Sequence, residues 1–93
     1  MDIRHDEKEQ KFYIQEQGKE CALQYKELSE KLWNFVSTSV PDDFSGKAIM
    51  DRMIEFAIEF VKEHNIKILA SCSDVQDFLI RHKDLKDLVY HPY

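Results

Sequence analysis

A chain of 93 residues with 43% hydrophobic and 12% aromatic side chains has the material for one hydrophobic core and not for two. Its formal net charge of −5 argues against a general nucleic-acid binder, which needs a basic face to displace counterions from phosphate. No apolar run approaches the roughly 20 residues that span a bilayer, and the opening MDIRHDEKEQK is too charged for a signal peptide, so a soluble, cytoplasmic chain without membrane or nucleic-acid partners is expected.

Met1 to Gln10 is charged at most positions, and residues 1–10 are expected to be a disordered or loosely attached segment ahead of a single domain over 11–93. Lys11 to Gln15 carries the β-prone trio Phe12, Tyr13 and Ile14, and the polar stretch after it holds Gly18 at a natural turn position. Cys21 to Leu28 alternates Cys21, Leu23 and Tyr25 against Ala22, Gln24 and Lys26, the period of a half-buried returning strand. After a short turn, Leu32 to Val40 is aromatic and β-branched, and Pro41, which cannot donate to a ladder, ends its pairing near Val40.

A polar turn from Pro41 to Gly46 follows, in which Ser45 can cap a helix of about five turns beginning at Lys47. Along that helix Met50, Met53, Ile54, Ala57, Ile58 and Val61 recur at steps of three and four, and Ile49, Phe56 and Phe60 widen the stripe to suit packing on a sheet. Lys62 and His64 complement the negative end of the dipole, and Asn65 can take the left-handed conformation that closes a helix. Ile66 to Cys72 is a short apolar run, long enough for a strand and too short for a helix. A second helix over Ser73–His82 opens on the capping-box spacing of Ser73 and Gln76, burying Val75, Phe78 and Leu79. The remaining residues, with Leu85, Leu88, Val89 and Tyr90, end in a short edge strand or pack irregularly.

The expected order is thus β-β-β-α-β-α, an α/β (α+β) chain whose mixed, mostly antiparallel sheet is covered by its helices. A strand, helix and strand in sequence make a right-handed parallel crossover, and the start of such a helix exposes backbone N–H groups that can hold an anion such as phosphate.

Two places can carry chemistry. Cys72 falls at the end of the fourth strand, immediately before a helix start where unpaired N–H groups favour a thiolate; the alternative is a small buried hydrophobe at a strand end. At the turn of Ser45, Gly46, Lys47 and Ala48, Gly46 allows close approach of a phosphate and Lys47 adds a positive charge; the alternative is a plain helix start whose dipole is compensated by Asp42 and Asp43. Cys21 and Cys72 lack CxxC spacing, and His5, His64, His82 and His91 are scattered, so neither a disulfide framework nor a metal site is expected.

Taken together, STSVPDDFSGKAI, the helix ending in FAIEFVKEHNIKI and the final ASCSDVQDFLIRHKDLKDLV resemble the small, single-domain branch of the GNAT N-acetyltransferase superfamily, from Phe12 to Val89. The most specific parts are the Thr-x-Val-Pro turn at Thr38, Val40 and Pro41, the EHNIKI join, and Ser71-Cys72. The resemblance implies an acyl-CoA N-acyltransferase fold with acetyl-CoA as cofactor. Its pantetheine would run along the open edge near Val40, its pyrophosphate would rest on N–H groups of the segment Ser45, Gly46, Lys47, Ala48, Ile49 and Met50, and Cys72 would lie beside the thioester. The superfamily's loop reads Arg/Gln-x-x-Gly-x-Gly/Ala, and this chain has Ser45, Ala48 and Met50 at those defined positions; a histidine usual before Thr-x-Val-Pro is Ser37.

Two functions follow from these readings. One is an enzyme moving an acetyl group from acetyl-CoA to an amine, directly or through Cys72, with an acidic surface suited to a cationic acceptor; Glu27, Glu30 and His82 are the candidate bases. The other is a non-catalytic module with a degenerate coenzyme loop, serving in binding or protein interaction. The exposed strand edge is compatible with a monomer or a weak homodimer.

Overall fold

The structure is a computed structural model that describes residues 2–16, 18–41 and 46–90, with the backbone alone at 16, 46 and 47. Five strands form one sheet in the order of the chain: β1 (Arg4–Asp6), β2 (Lys11–Glu16), β3 (Lys19–Ser29), β4 (Leu32–Ser39) and β5 (Lys67–Ala70). Helix α1 (Gly46–Glu63) connects β4 to β5, and α2 (Ser73–Arg81) follows β5. The first three pairings are antiparallel; β4 and β5 are parallel, as a strand-helix-strand crossover requires. The expected mixed, mostly antiparallel sheet is present, with one additional strand.

That strand corrects the reading of the first ten residues. Arg4–Asp6 pairs with β2, and His5 opposite Phe12 turns inward. The His5 ring stacks on Phe12 at 4.2 Å and meets the edge of Phe60 at 4.6 Å. Ile3, two positions earlier, also packs against the core, and the dense charge around both hides them from any periodicity. The Tyr25 hydroxyl and His5 Nε2 share a hydrogen bond at 2.5 Å, and the Tyr25 ring lies flat on Trp33 at 4.0 Å. Burial pulls the His5 imidazole below its ordinary pKa of 6.5 and pushes the Tyr25 phenol up. Gln10, left-handed with φ 54, closes the β1–β2 turn; its backbone and side-chain carbonyls accept the N–H groups of Tyr25 and Glu27, beyond the point where β2 begins.

The β2–β3 hairpin turns at Gly18 with φ 75, where the register Glu16 to Lys19 leaves a two-residue loop that favours positive φ. One sheet face is apolar: Phe12 and Ile14 stand beside Leu23 and Cys21, continued by Tyr25, Trp33, Phe35 and Ile68, all buried. Against it α1 places Met50, Met53, Ile54, Ala57, Ile58 and Val61, as its spacing predicts. Burial pushes the Cys21 thiol up to about 11.

Helix α1 ends as expected. Asn65 has φ 56; the Ile66 N–H reaches the Val61 carbonyl at 2.9 Å and the Asn65 N–H reaches Lys62 at 3.2 Å, the paired bonds of a Schellman motif, with Ile66 and Val61 both buried beneath it. The expected capping box at Ser73 does not form. The N-cap is Cys72, one residue earlier, without a side-chain bond; Gln76 instead donates its backbone N–H to the Cys72 carbonyl and its side-chain amide to Ala70. Val75 and Phe78 are buried as expected, and an Arg81–Asp51 pair joins α2 to α1. The tail forms a 3-10 segment, Lys83–Leu88, and then bridges Val89 to Ile68 along the free edge of β5. Among the described residues no helix is long and apolar enough to cross a membrane.

Candidate functional site

The site begins with an irregularity in β4. Tyr25 faces Phe35 and Gln24 faces Ser37, so Val36 is an extra residue, a bulge in β4. The bulge resets the alternation. Without it Ser37 would follow Phe35 onto the inner face; with it Ser37 stands beside Gln24, to which its hydroxyl donates at 2.9 Å, and Thr38 stands beside the buried Leu23. Thr38 thereby comes to the helix side of the sheet.

The same position is where β4 and β5 part. Their parallel pairing covers Leu32 to Phe35 against Lys67 to Ala70, and Val36–Ser39 continues with β3 alone. The Phe35 carbonyl accepts the N–H groups of both Ser71, at 3.0 Å, and Cys72, at 3.2 Å. Those bonds hold the chain at the point where it turns from β5 into α2. Asn34 fastens the turn from the other face, its amide donating to Ser71 Oγ at 3.0 Å while its Oδ1 accepts the Ser71 N–H.

Cys72 therefore leaves the sheet beside the unshared half of β4. Its thiol, 8% exposed, donates to Thr38 Oγ1 at 3.7 Å, and the Thr38 hydroxyl donates to Asp74 Oδ2 at 2.5 Å. Asp74 belongs to the first turn of α2. Cysteine, threonine and carboxylate thus form a continuous line from the inside of the split to solvent. Sequence reasoning missed Asp74; its only signal is the spacing of two from Cys72 at a helix start, which has meaning once Thr38 lies opposite.

The remaining expected residues are distributed as follows. Val40, at the end of β4, is partly buried against the core, and only residues 41–45 separate it from α1, which begins at Gly46. Ser45 lies outside the described residues, as does the side chain of Lys47. Ala48 is exposed in the first turn, whereas Ile49 and Met50 are 7% and 4% exposed and belong to the core. The methionine at the loop pattern's last position therefore points into the protein, and the helix start keeps N–H groups without intrahelical acceptors. None of the expected bases reaches the thiol: Glu27 lies opposite Trp33 and Glu30 in the following turn, both at the far end of β4 from Thr38, and His82 closes the other end of α2, stacked on Phe78 at 4.1 Å.

The sequence and the fold both have counterparts among known proteins. The family model described as GCN5-related N-acetyl-transferase matches residues 11–88. The chain is a member of the GCN5-related N-acetyltransferase family. Among curated proteins it is similar to Protein NATD1 of Xenopus tropicalis and of Danio rerio, each 28% identical over 79 residues, covering 83% of this chain and 72% of the relative. Protein NATD1 of Homo sapiens is 24% identical over 79 residues, covering 83% of this chain and 70% of its own. The NMR structure of a GCN5-like protein from Staphylococcus aureus superposes with a TM-score of 0.76 at 24% identity, covering 99% of this chain and 90% of that one. At that identity the likeness speaks to the fold, which is that of the family.

Proposed function

We propose that this family member transfers an acetyl group from acetyl-CoA to a primary amine, with Cys72 beside the reacting thioester. The observation that carries the reading is the position of the Cys72 thiol, directed from the end of β5 onto Thr38, inside the split that β4 opens ahead of α1. When bound, acetyl-CoA supplies an activated acyl group. The chain's own contributions are a set of positioned donors and one sulfur. Backbone N–H groups at the start of α1, in the segment that includes Gly46, Lys47 and Ala48, would hold the pyrophosphate; the open edge around Val40 would receive the pantetheine and offer N–H groups to the thioester carbonyl.

The burial of Met50 supports this assignment, because a thioether at that helix position would otherwise occupy the phosphate site. Cys72 accepts the acyl group as nucleophile in one form of the reaction and lines the thioester in the other. The acceptor is taken to be cationic from the net charge of −5 alone. A soluble monomer or weak homodimer in the cytoplasm is consistent with this role.

The test is intact-mass analysis after incubation with acetyl-CoA, with Cys72→Ala as control. A gain of one acetyl group in the wild type and none in the variant is expected. No acetyl group on the wild type, and no acetylated polyamine or lysine peptide formed in its presence, would leave the reading without support. The alternative, a non-catalytic binding module, is favoured by the replacement of the loop's usual residues by Ser45 and Ala48.

A further inference from the structure

We propose that Asp74, acting through Thr38, controls the protonation of Cys72 and receives its proton when the sulfur reacts. The inference rests on the reading above for its reaction, and on the hydrogen-bond line for its residues. A threonine hydroxyl has one hydrogen to give and lone pairs to accept with. Because that hydrogen goes to the Asp74 carboxylate at 2.5 Å, the side of Thr38 Oγ1 facing Cys72 is an acceptor, and the thiol at 3.7 Å is the donor. Asp74 thus fixes both the orientation of Thr38 and the resting form of Cys72, a thiol aimed at Thr38. The carboxylate is exposed and the thiol is buried, so the line also connects an enclosed sulfur to solvent.

The proton balance is simple. As the sulfur bonds to the acetyl carbon of a thioester, its S–H bond breaks and the proton passes to Thr38 Oγ1, while the hydrogen already on Thr38 passes to the Asp74 carboxylate; the carbon–sulfur bond of the donor breaks, and its thiolate leaves with the electron pair and takes a proton from solvent. Threonine ends as it began, the carboxylate becomes a neutral acid, and the sulfur carries no hydrogen. When an amine bonds to the acetyl carbon and the sulfur is released as an anion, the two transfers reverse, and the surplus proton on the nitrogen is lost to solvent. Among the described residues, Thr38 is the hydrogen-bond partner the structure gives Cys72 Sγ, and Asp74 is the charged group behind it; the other charged pair of α2, Arg81 with Asp51, sits at the opposite end of the helix. The N-cap of α2 makes no side-chain hydrogen bond, so an amide at position 74 removes no cap.

The test compares wild type, Asp74→Asn, Thr38→Val and Thr38→Ser in two measurements. The first is the pH midpoint of Cys72 alkylation by iodoacetamide, read at Cys72 by peptide mass. The second is the rate at which the acetyl thioester of N-acetylcysteamine acetylates Cys72 at pH 7. In Asp74→Asn the midpoint falls, since a neighbouring negative charge is gone. Acetylation nonetheless slows about a hundredfold, since the proton acceptor is gone too. Thr38→Val slows acetylation similarly, and Thr38→Ser, which keeps the hydroxyl, restores it. The opposed directions in Asp74→Asn are the signature: a merely structural aspartate moves neither, and a merely electrostatic one raises both rates at neutral pH. Either of those outcomes overturns the relay. A midpoint that falls in Asp74→Asn while the wild type takes no acetyl group overturns the acyl-transfer reading and upholds the coupling of Asp74 to Cys72.

Discussion

Replacing Met50 and Ala48 by glycine, one at a time, separates the core from the site at the place where this chain departs most from its family's loop. Met50 is 4% exposed and belongs to the core that α1 and the sheet share. Truncating a buried methionine to alanine costs about 2–5 kcal/mol, and a glycine inside a helix adds about 1 kcal/mol. Met50→Gly therefore loses about 3–6 kcal/mol, a large part of the roughly 5–14 kcal/mol expected for a chain of this length. Ala48 is exposed in the first turn, so Ala48→Gly removes no packing and costs at most about 1 kcal/mol, or about 4–8 °C in Tm for a domain of this size. Urea titrations followed by circular dichroism give both values. A Met50→Gly variant within 1 kcal/mol of wild type would refute the reasoning, because the side chain would then not be in the core and would be free to block the helix start.

Four other outcomes follow from the structure. Burial lowers the His5 pKa in the fold below its ordinary 6.5, so the unfolded chain binds the proton more tightly; the stability His5 contributes is whole above about pH 6.5 and is lost as pH falls below it toward the folded value. Denaturation midpoints between pH 7 and pH 5 should fall less steeply in His5→Gln than in wild type, and equal slopes would contradict the assignment. Tyr25→Phe leaves the partly buried His5 nitrogen without its hydrogen-bond partner and should cost on the order of 1–2 kcal/mol in urea, whereas a neutral change would mean that water replaces the hydroxyl. Cys21, pushed up to about 11, should be about one part in a thousand thiolate at pH 8 and resist iodoacetamide in the native protein; native labelling at a rate near that of a free thiol would contradict its burial. Deleting the half-exposed Val36 keeps Ser37 and Thr38 on their present faces and straightens β4, so the protein should still fold and should lose its thermal response to acetyl-CoA; a retained response would show that the bulge does not shape the site.

Much of this architecture can be read from local chemistry. The apolar spacing of α1, the left-handed Asn65 and the short run after it each arise from neighbouring residues, and each is present in the structure. What escaped is what depends on partners distant in the chain. His5 is inward only because Phe12, Tyr25 and Phe60 surround it, and nothing within a window of charged residues signals that. The Ser73-x-x-Gln76 spacing reads as a cap, but two bonds to the Phe35 carbonyl hold Ser71 and Cys72, and the helix starts a residue early. The bulge at Val36 is likewise silent in LWNFVSTSV, since serine and threonine are compatible with either face. Once it is present, Thr38 rather than Ser37 meets Cys72, and Asp74 becomes the carboxylate at the site in place of Glu27, Glu30 and His82. Met50 illustrates the converse: an aligned pattern marks it as a loop residue, while the helical stripe that begins with it makes it part of the core.

These observations divide the molecule into two ends. The aromatic cluster of His5, Phe12, Tyr25, Trp33 and Phe60 fills the end where β4 begins, and Phe60 extends it to His64 at 4.2 Å. The opposite end, where β4 finishes, is held by the polar contacts among Thr38, Cys72 and Asp74.

The most direct test is a thermal melt with and without acetyl-CoA. A ligand that binds only the folded chain adds about 2.7 kcal/mol at a hundred times its dissociation constant, so saturating acetyl-CoA should raise Tm by roughly ten degrees or more in a domain of this size. An unchanged Tm at millimolar acetyl-CoA would contradict the claim that the split between β4 and β5 receives it.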